Sequence, residues 1–101
     1  MIRQETVTDV VSRYKARSLS IYRKLRFGAQ EQELAPEIRD CALAFEKAAK
    51  AGEWGRAIEL SDRILYMVET AVKRGLSAEV VLQNLKNDAK ELAGMIQATG
   101  D

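Results

Sequence analysis

A chain of 101 residues, 47% hydrophobic and 31% charged with a formal net charge of +1, has the composition of one globular domain. It has no histidine and one cysteine, which excludes a Ser-His-Asp triad, a Cys-His pair, the usual zinc sites and an intrachain disulfide. One proline and 6% aromatic residues fit a strand-rich sandwich poorly, so the composition predicts an all-α fold.

The amino terminus, Met1 to Asp9, carries Arg3, Glu5 and Asp9 and lacks the apolar core of a secretory signal. Between Val7 and Leu25 the apolar residues Val7, Val10, Val11, Tyr14, Ile21, Tyr22 and Leu25 recur at helical spacing, with Ser18 filling the one gap. This predicts a long first helix that Gly28 ends. Residues 1–27 hold seven cations and two anions, and the other 74 hold nine cations and thirteen anions. A basic first helix therefore faces an acidic body.

Ala29 to Ala35 is polar and acidic and reads as a loop, with Pro36 in the first turn of a second helix. That helix presents Ile38, Cys41, Ala42, Phe45, Ala48 and Ala49 on one face and stops at Gly52. The period resumes at once with Trp54, Ala57, Ile58, Ser61, Ile64, Leu65, Val68, Ala71 and Val72, so the second and third helices form an antiparallel hairpin. The run Ile64 to Val68 is apolar nearly all round and predicts a central third helix. Gly75 ends it, Ser77 is the expected N-cap, and a fourth helix carries Val81, Leu85, Ala89, Leu92 and Ile96 inward, widened by Val80, Leu82 and Met95. Thr99, Gly100 and Asp101 are expected to fray.

The expected architecture is a single domain over residues 1–101, a small antiparallel bundle of four helices. A three-helix body of residues 36–99 with a detachable basic arm, residues 1–27, is the competing arrangement. No apolar run is longer than five residues, as in Ile64 to Val68, against about 20 for a spanning helix, so a cytoplasmic protein is expected. Cys41 then reads as a reduced thiol packed as a small hydrophobe.

The segment FEKAAKAGEWGRAIELSDRIL, Phe45 to Leu65, resembles the helix-turn-helix of tetratricopeptide repeats, with Ala48, Gly52 and Ala57 in the small-residue places. One copy is present where a solenoid needs about three, which favours a generic αα-hairpin. Extended from Asp40 to Val72, the same hairpin looks like the central helices of small flagellar and type III export chaperones. That likeness implies a cytosolic bundle holding a client segment against apolar surface.

The strongest chemical signal runs from Arg13 to Phe27. Arg13, Arg17 and Lys24 flank the apolar stripe on one side, and Lys15, Arg23 and Arg26 lie towards the other. Such a helix meets an anionic surface: nucleic acid phosphates, with Tyr14, Tyr22 or Phe27 for stacking, an anionic membrane face, or an acidic protein. Its own body is one such protein, through Glu59, Asp62, Glu69, Asp88 and Glu91. The plain alternative is a solvated cationic face on a helix whose apolar side packs in the bundle. Trp54 either covers the hairpin turn or serves as an interface hot spot.

The carboxylates show no Glu-x-x-His pairing and the glycine turns no phosphate-binding spacing, so no enzyme activity, metal or cofactor is expected. The expected function is a small helical adaptor, chaperone or assembly regulator. Arg13, Arg17, Arg23, Lys24 and Arg26 would meet an acidic partner, and Trp54, Ile64, Leu65 and Val68 would form an apolar seat. A regulatory nucleic-acid binder using the basic helix is the alternative, and closure of a homodimer is a third reading.

Overall fold

The computed structural model describes residues 2–27 and 34–99, with side chains described for 7–25 and 34–96. Four α-helices follow in chain order: α1 (Ile2–Phe27), α2 (Leu34–Lys50), α3 (Trp54–Lys73) and α4 (Glu79–Thr99). No strand occurs among the described residues. The expected stop at Gly28, the loop at 29–33, the side chains of Arg26 and Phe27, and residues 100–101 lie outside the described part.

The helices close a ring in which α1 and α3 each pack against both α2 and α4. Cross-seam bonds give the directions. Lys15 meets Glu46 and the Arg39 guanidinium lies 5.7 Å from the Tyr22 ring centre, so α1 and α2 are antiparallel. Arg13 meets Glu91, Arg17 meets Asp88 and Lys24 meets Ser77, so α1 and α4 are antiparallel too. The 44 Å long axis accommodates α1, whose 26 residues span about 39 Å at 1.5 Å per residue. The arrangement is a small all-α bundle.

Two turns set the antiparallel order. After α2, the Glu53 N–H bonds the Ala48 carbonyl and the Gly52 N–H bonds that of Ala49, with Gly52 at φ +77°. After α3, Leu76 bonds Ala71 and Gly75 bonds Val72, with Gly75 at φ +113°. Both are Schellman closures, which satisfy orphan carbonyls and need a left-handed residue that glycine supplies without strain.

The core is filled from every helix. Tyr14, Ile21, Leu25, Ile38, Phe45, Ile64, Val68, Leu85 and Leu92 are fully buried, and the Tyr14 and Phe45 rings lie 4.9 Å apart.

Four details depart from the sequence expectations. The α2 helix begins at Leu34, two residues before Pro36; proline lacks only an N–H that first-turn residues do not use. The first bond of α4 runs from the Leu82 N–H to the Ala78 carbonyl, so Ala78, not Ser77, stands at the cap position. Val80 is 75% exposed instead of widening the inner face. Tyr66 is 72% exposed, and α3 is one member of a ring with no central helix, so the run Ile64 to Val68 is not buried all round.

Candidate functional site

The basic face of α1 is built by a three-way exchange with α4. Asp88 sits one turn before Leu92 on the α4 flank nearest α1 and is 4% exposed. One of its oxygens takes Arg17, whose guanidinium also reaches the Asn84 carbonyl at 3.5 Å. The other takes Arg13 Nη2 at 3.3 Å, and Arg13 extends to Glu91 at 3.2 Å. About two turns beyond Arg17, Lys24 Nζ donates to the Ser77 carbonyl at 3.0 Å. A carboxylate so buried needs paired, hydrogen-bonded cations to offset its desolvation, and helical spacing aligns Arg13 and Arg17 over it.

The opposite flank of α1 carries a second pair. Lys15 Nζ lies 2.8 Å from Glu46 Oε1, and Lys50 approaches the other Glu46 oxygen at 3.7 Å. The Lys15 bond, aided by Lys50, holds the Glu46 carboxyl below its ordinary range.

The third polar contact is in the core. Tyr14 Oη donates to the Ser61 carbonyl at 2.8 Å, tying α1 to α3 across the ring. Burial pushes the Tyr14 hydroxyl well above its ordinary value of 10.0. Ser18, fully buried, donates to the Tyr14 carbonyl one turn back, and the Ser61 hydroxyl donates to Ile58. The buried polar residues among those described are Ser18, Ser61 and Asp88, and each lies on α1 or bonds to it.

Where α1, the end of α2 and the start of α3 meet, an open cleft of about 290 Å³ remains. Val7, Val11, Ala49 and Trp54 supply apolar walls, Thr8 and Ser12 hydroxyls, and Glu46 with Lys50 a charged rim. The cleft exists because Ala49 fills little space opposite Val7 and Val11, while Trp54 opens α3 immediately after the Gly52 turn.

The nine expected site residues therefore do not converge. Arg13, Arg17 and Lys24 are on the α4 seam, Arg23 is exposed, and the Arg26 side chain is outside the described residues. Trp54 is half-buried in the cleft near the other end of the bundle. Ile64 and Val68 are fully buried in the core, and Leu65 is half-buried beside them. Of the five acidic residues considered as docking points for α1, Asp88 and Glu91 receive it. Glu46 was not among them, although Lys15 at a flank position signals a partner on α2. The cleft has no local sequence signal, because its walls come from three helices.

Cys41 is 8% exposed and unpaired in a disulfide. Burial pushes its thiol upward, opposed by the neighbouring Arg63, so it packs as a protonated apolar group. Among the described residues no helix is long and apolar enough to cross a membrane. The chain matches no protein-family model, curated protein or solved structure at a significant level.

Proposed function

We propose that this chain is a helical protein-binding module, an adaptor, chaperone or assembly regulator of the cytoplasm, and that it engages its partner by releasing α1. The observation that supports this reading is that the polar contacts reaching the buried Ser61 carbonyl and the buried Asp88 carboxylate both come from α1, through Tyr14, Arg13 and Arg17. Water can replace the hydrogen bonds of Tyr14, Arg13 and Arg17 when α1 leaves, so that opening costs less than parting an apolar seam of equal area. What it uncovers is the apolar seat of Ile64, Val68, Leu85 and Leu92, a groove for an amphipathic partner helix.

The pairing of Arg13 and Arg17 favours this reading over nucleic-acid binding. Their charge is already met by Asp88 and Glu91, so phosphates would compete with internal carboxylates for them. The same holds for an anionic membrane. Among the described cations of α1, Arg23, exposed beside Lys24, faces outward.

Locking α1 tests the reading. Lys15→Cys and Glu46→Cys, in a Cys41→Ala background, place thiols across the α1–α2 seam for a reducible cross-linker. Open protein should retain one stoichiometric protein from native lysate through nuclease treatment. Cross-linked protein should lose it and regain it on reduction. Equal capture in both states excludes release. Recovery of nucleic acid, with nuclease removing everything else, replaces this reading by the nucleic-acid one, and capture of the chain by itself supports the homodimer.

A further inference from the structure

The cleft beside Trp54 is formed only while α1 is seated, so it belongs to the closed bundle and the release reading does not use it. We propose that it is a docking pocket for a peptide segment bearing one large apolar side chain next to a carboxylate. The inference rests on the protein-binding reading for its ligand class and adds where and what the closed form binds.

Size argues for a single side chain. At about 290 Å³ the cleft falls just under the range of roughly 300–1,000 Å³ typical of small-molecule sites. Its walls are Val7, Val11, Ala49 and the indole of Trp54, apolar surface that a leucine or phenylalanine covers and a polar metabolite does not. Tryptophan at the mouth of a pocket is the residue type most enriched among those that dominate interface energies.

Charge argues for the carboxylate. The charged residues of the lining are Glu46 and Lys50, and Glu46 is also held by Lys15, which stands outside the lining. Lys15 is held at 2.8 Å, whereas Lys50 is 3.7 Å away with its side chain 75% exposed. Lys50 is thus the cation able to turn to an incoming anion at little cost. Glu53, adjacent to Trp54 in sequence, is exposed and does not line the cleft. A basic peptide would meet Lys50 directly and be rejected.

Because Val7 and Val11 are on α1, an occupant holds α1 in place. Binding in the cleft and release of α1 therefore oppose each other, and by linkage each weakens the other by the same factor.

The experiment uses the full chain and its one tryptophan. The probe is the capped tetrapeptide acetyl-alanyl-leucyl-glutamyl-alanine amide, titrated while the Trp54 indole and the Val7 and Val11 methyls are followed by NMR. The expected result is saturating shifts at all three residues near 1 mM, about the affinity of one buried anchor with one ion pair. Replacing the peptide's leucine by alanine should weaken binding about tenfold, and replacing its glutamate by glutamine about threefold. Ala49→Leu, which fills the cleft, should abolish binding. Lys50→Glu, a change at an exposed position, should reverse the preference towards a lysine-bearing peptide. At ten times the dissociation constant the peptide should slow amide exchange of α1 about tenfold. The inference is overturned by shifts that do not depend on the leucine, by shifts that spare Val7 and Val11, or by unchanged binding in Ala49→Leu. None of these touches the release reading, which the cross-linking experiment decides separately.

Discussion

The seam between α2 and α3 and the seams that hold α1 are built from different materials. The α2–α3 hairpin buries Ala42, Ala48, Ala57 and Ile64, with a Cys41–Arg63 contact beside them, and a glycine turn joins the two helices within three residues. The α1 seams bury apolar surface as well, through Val10, Ile21 and Leu25, yet they also hold the Tyr14 hydroxyl bond, the Arg13–Asp88–Arg17 cluster and the Lys15–Glu46 pair. Apolar contact is lost outright when a seam opens, whereas hydrogen-bonding groups are taken over by water. The release reading proposed above takes the hairpin as the part that stays together and α1 as the helix that opens.

The largest expected effect falls on the hairpin. Ile64→Ala should cost about 2–5 kcal/mol, read by urea denaturation, with all four helices unfolding in one transition. Loss confined to α1 would place the contribution of Ile64 in the contacts to α1 instead of in the hairpin. Asp88→Ala comes next, at about 1.5–3 kcal/mol for hydrogen bonds to a charged group. The Arg13 and Arg17 side chains are 46% and 32% exposed, so water recovers part of their solvation and the cost stays below that of stranding a fully buried charge. Native-state hydrogen exchange should show α1 losing more protection than α3. Equal loss in every helix would mean that α1 does not open as a separate unit.

Tyr14→Phe removes one hydrogen bond and should cost about 1 kcal/mol at neutral pH. It also carries a pH signature. Burial raises the folded-state pKa of Tyr14 above its ordinary 10.0, so the folded chain keeps a proton that the unfolded chain loses. The Tyr14 contribution is fully present below about pH 10 and declines as the pH rises towards the folded value. The phenylalanine variant should lack that decline, and an identical alkaline slope in both proteins would place the titration elsewhere.

Much of this contrast is legible in the residues. The stripe from Val7 to Leu25, the glycines at 52 and 75 and the short hairpin turn specify the four helices, because apolar period and left-handed stops are local properties. Arg13, Arg17 and Lys24 on one flank could be read as a cationic row, but periodicity does not say which element covers a flank, so Asp88 remained one of five acceptors. Ile64 and Val68 are on an apolar face in sequence and buried in the fold for the same reason. A seat for a partner and a seat for α1 have the same pattern. The cleft was not legible at all, since it arises from Val7, Ala49 and Trp54 on three helices, and only their tertiary approach creates the space.

The smallest effect sharpens the comparison on the other side of α1. Lys15 and Glu46 are 27% and 22% exposed at the side chain and 2.8 Å apart. A double-mutant cycle with Lys15→Ala and Glu46→Ala should give a coupling of about 0.3–1 kcal/mol, the range for an ion pair still reached by water. The pKa of Glu46 is lowered in the folded chain, chiefly by the Lys15 bond, so its contribution is present above the ordinary value of 4.5 and is lost as the pH falls through the folded value. The coupling should therefore vanish in acid and shrink with added salt, while the Tyr14 bond, a neutral pair in the core, persists under both conditions. Measuring that coupling and the Tyr14→Phe effect across that range separates a rim contact, which tunes the α1–α2 seam, from the core contact that ties α1 to α3. A Lys15–Glu46 coupling as large as the Asp88 effect would instead make the α2 side an equal anchor, and α1 release would have to break both seams at similar cost.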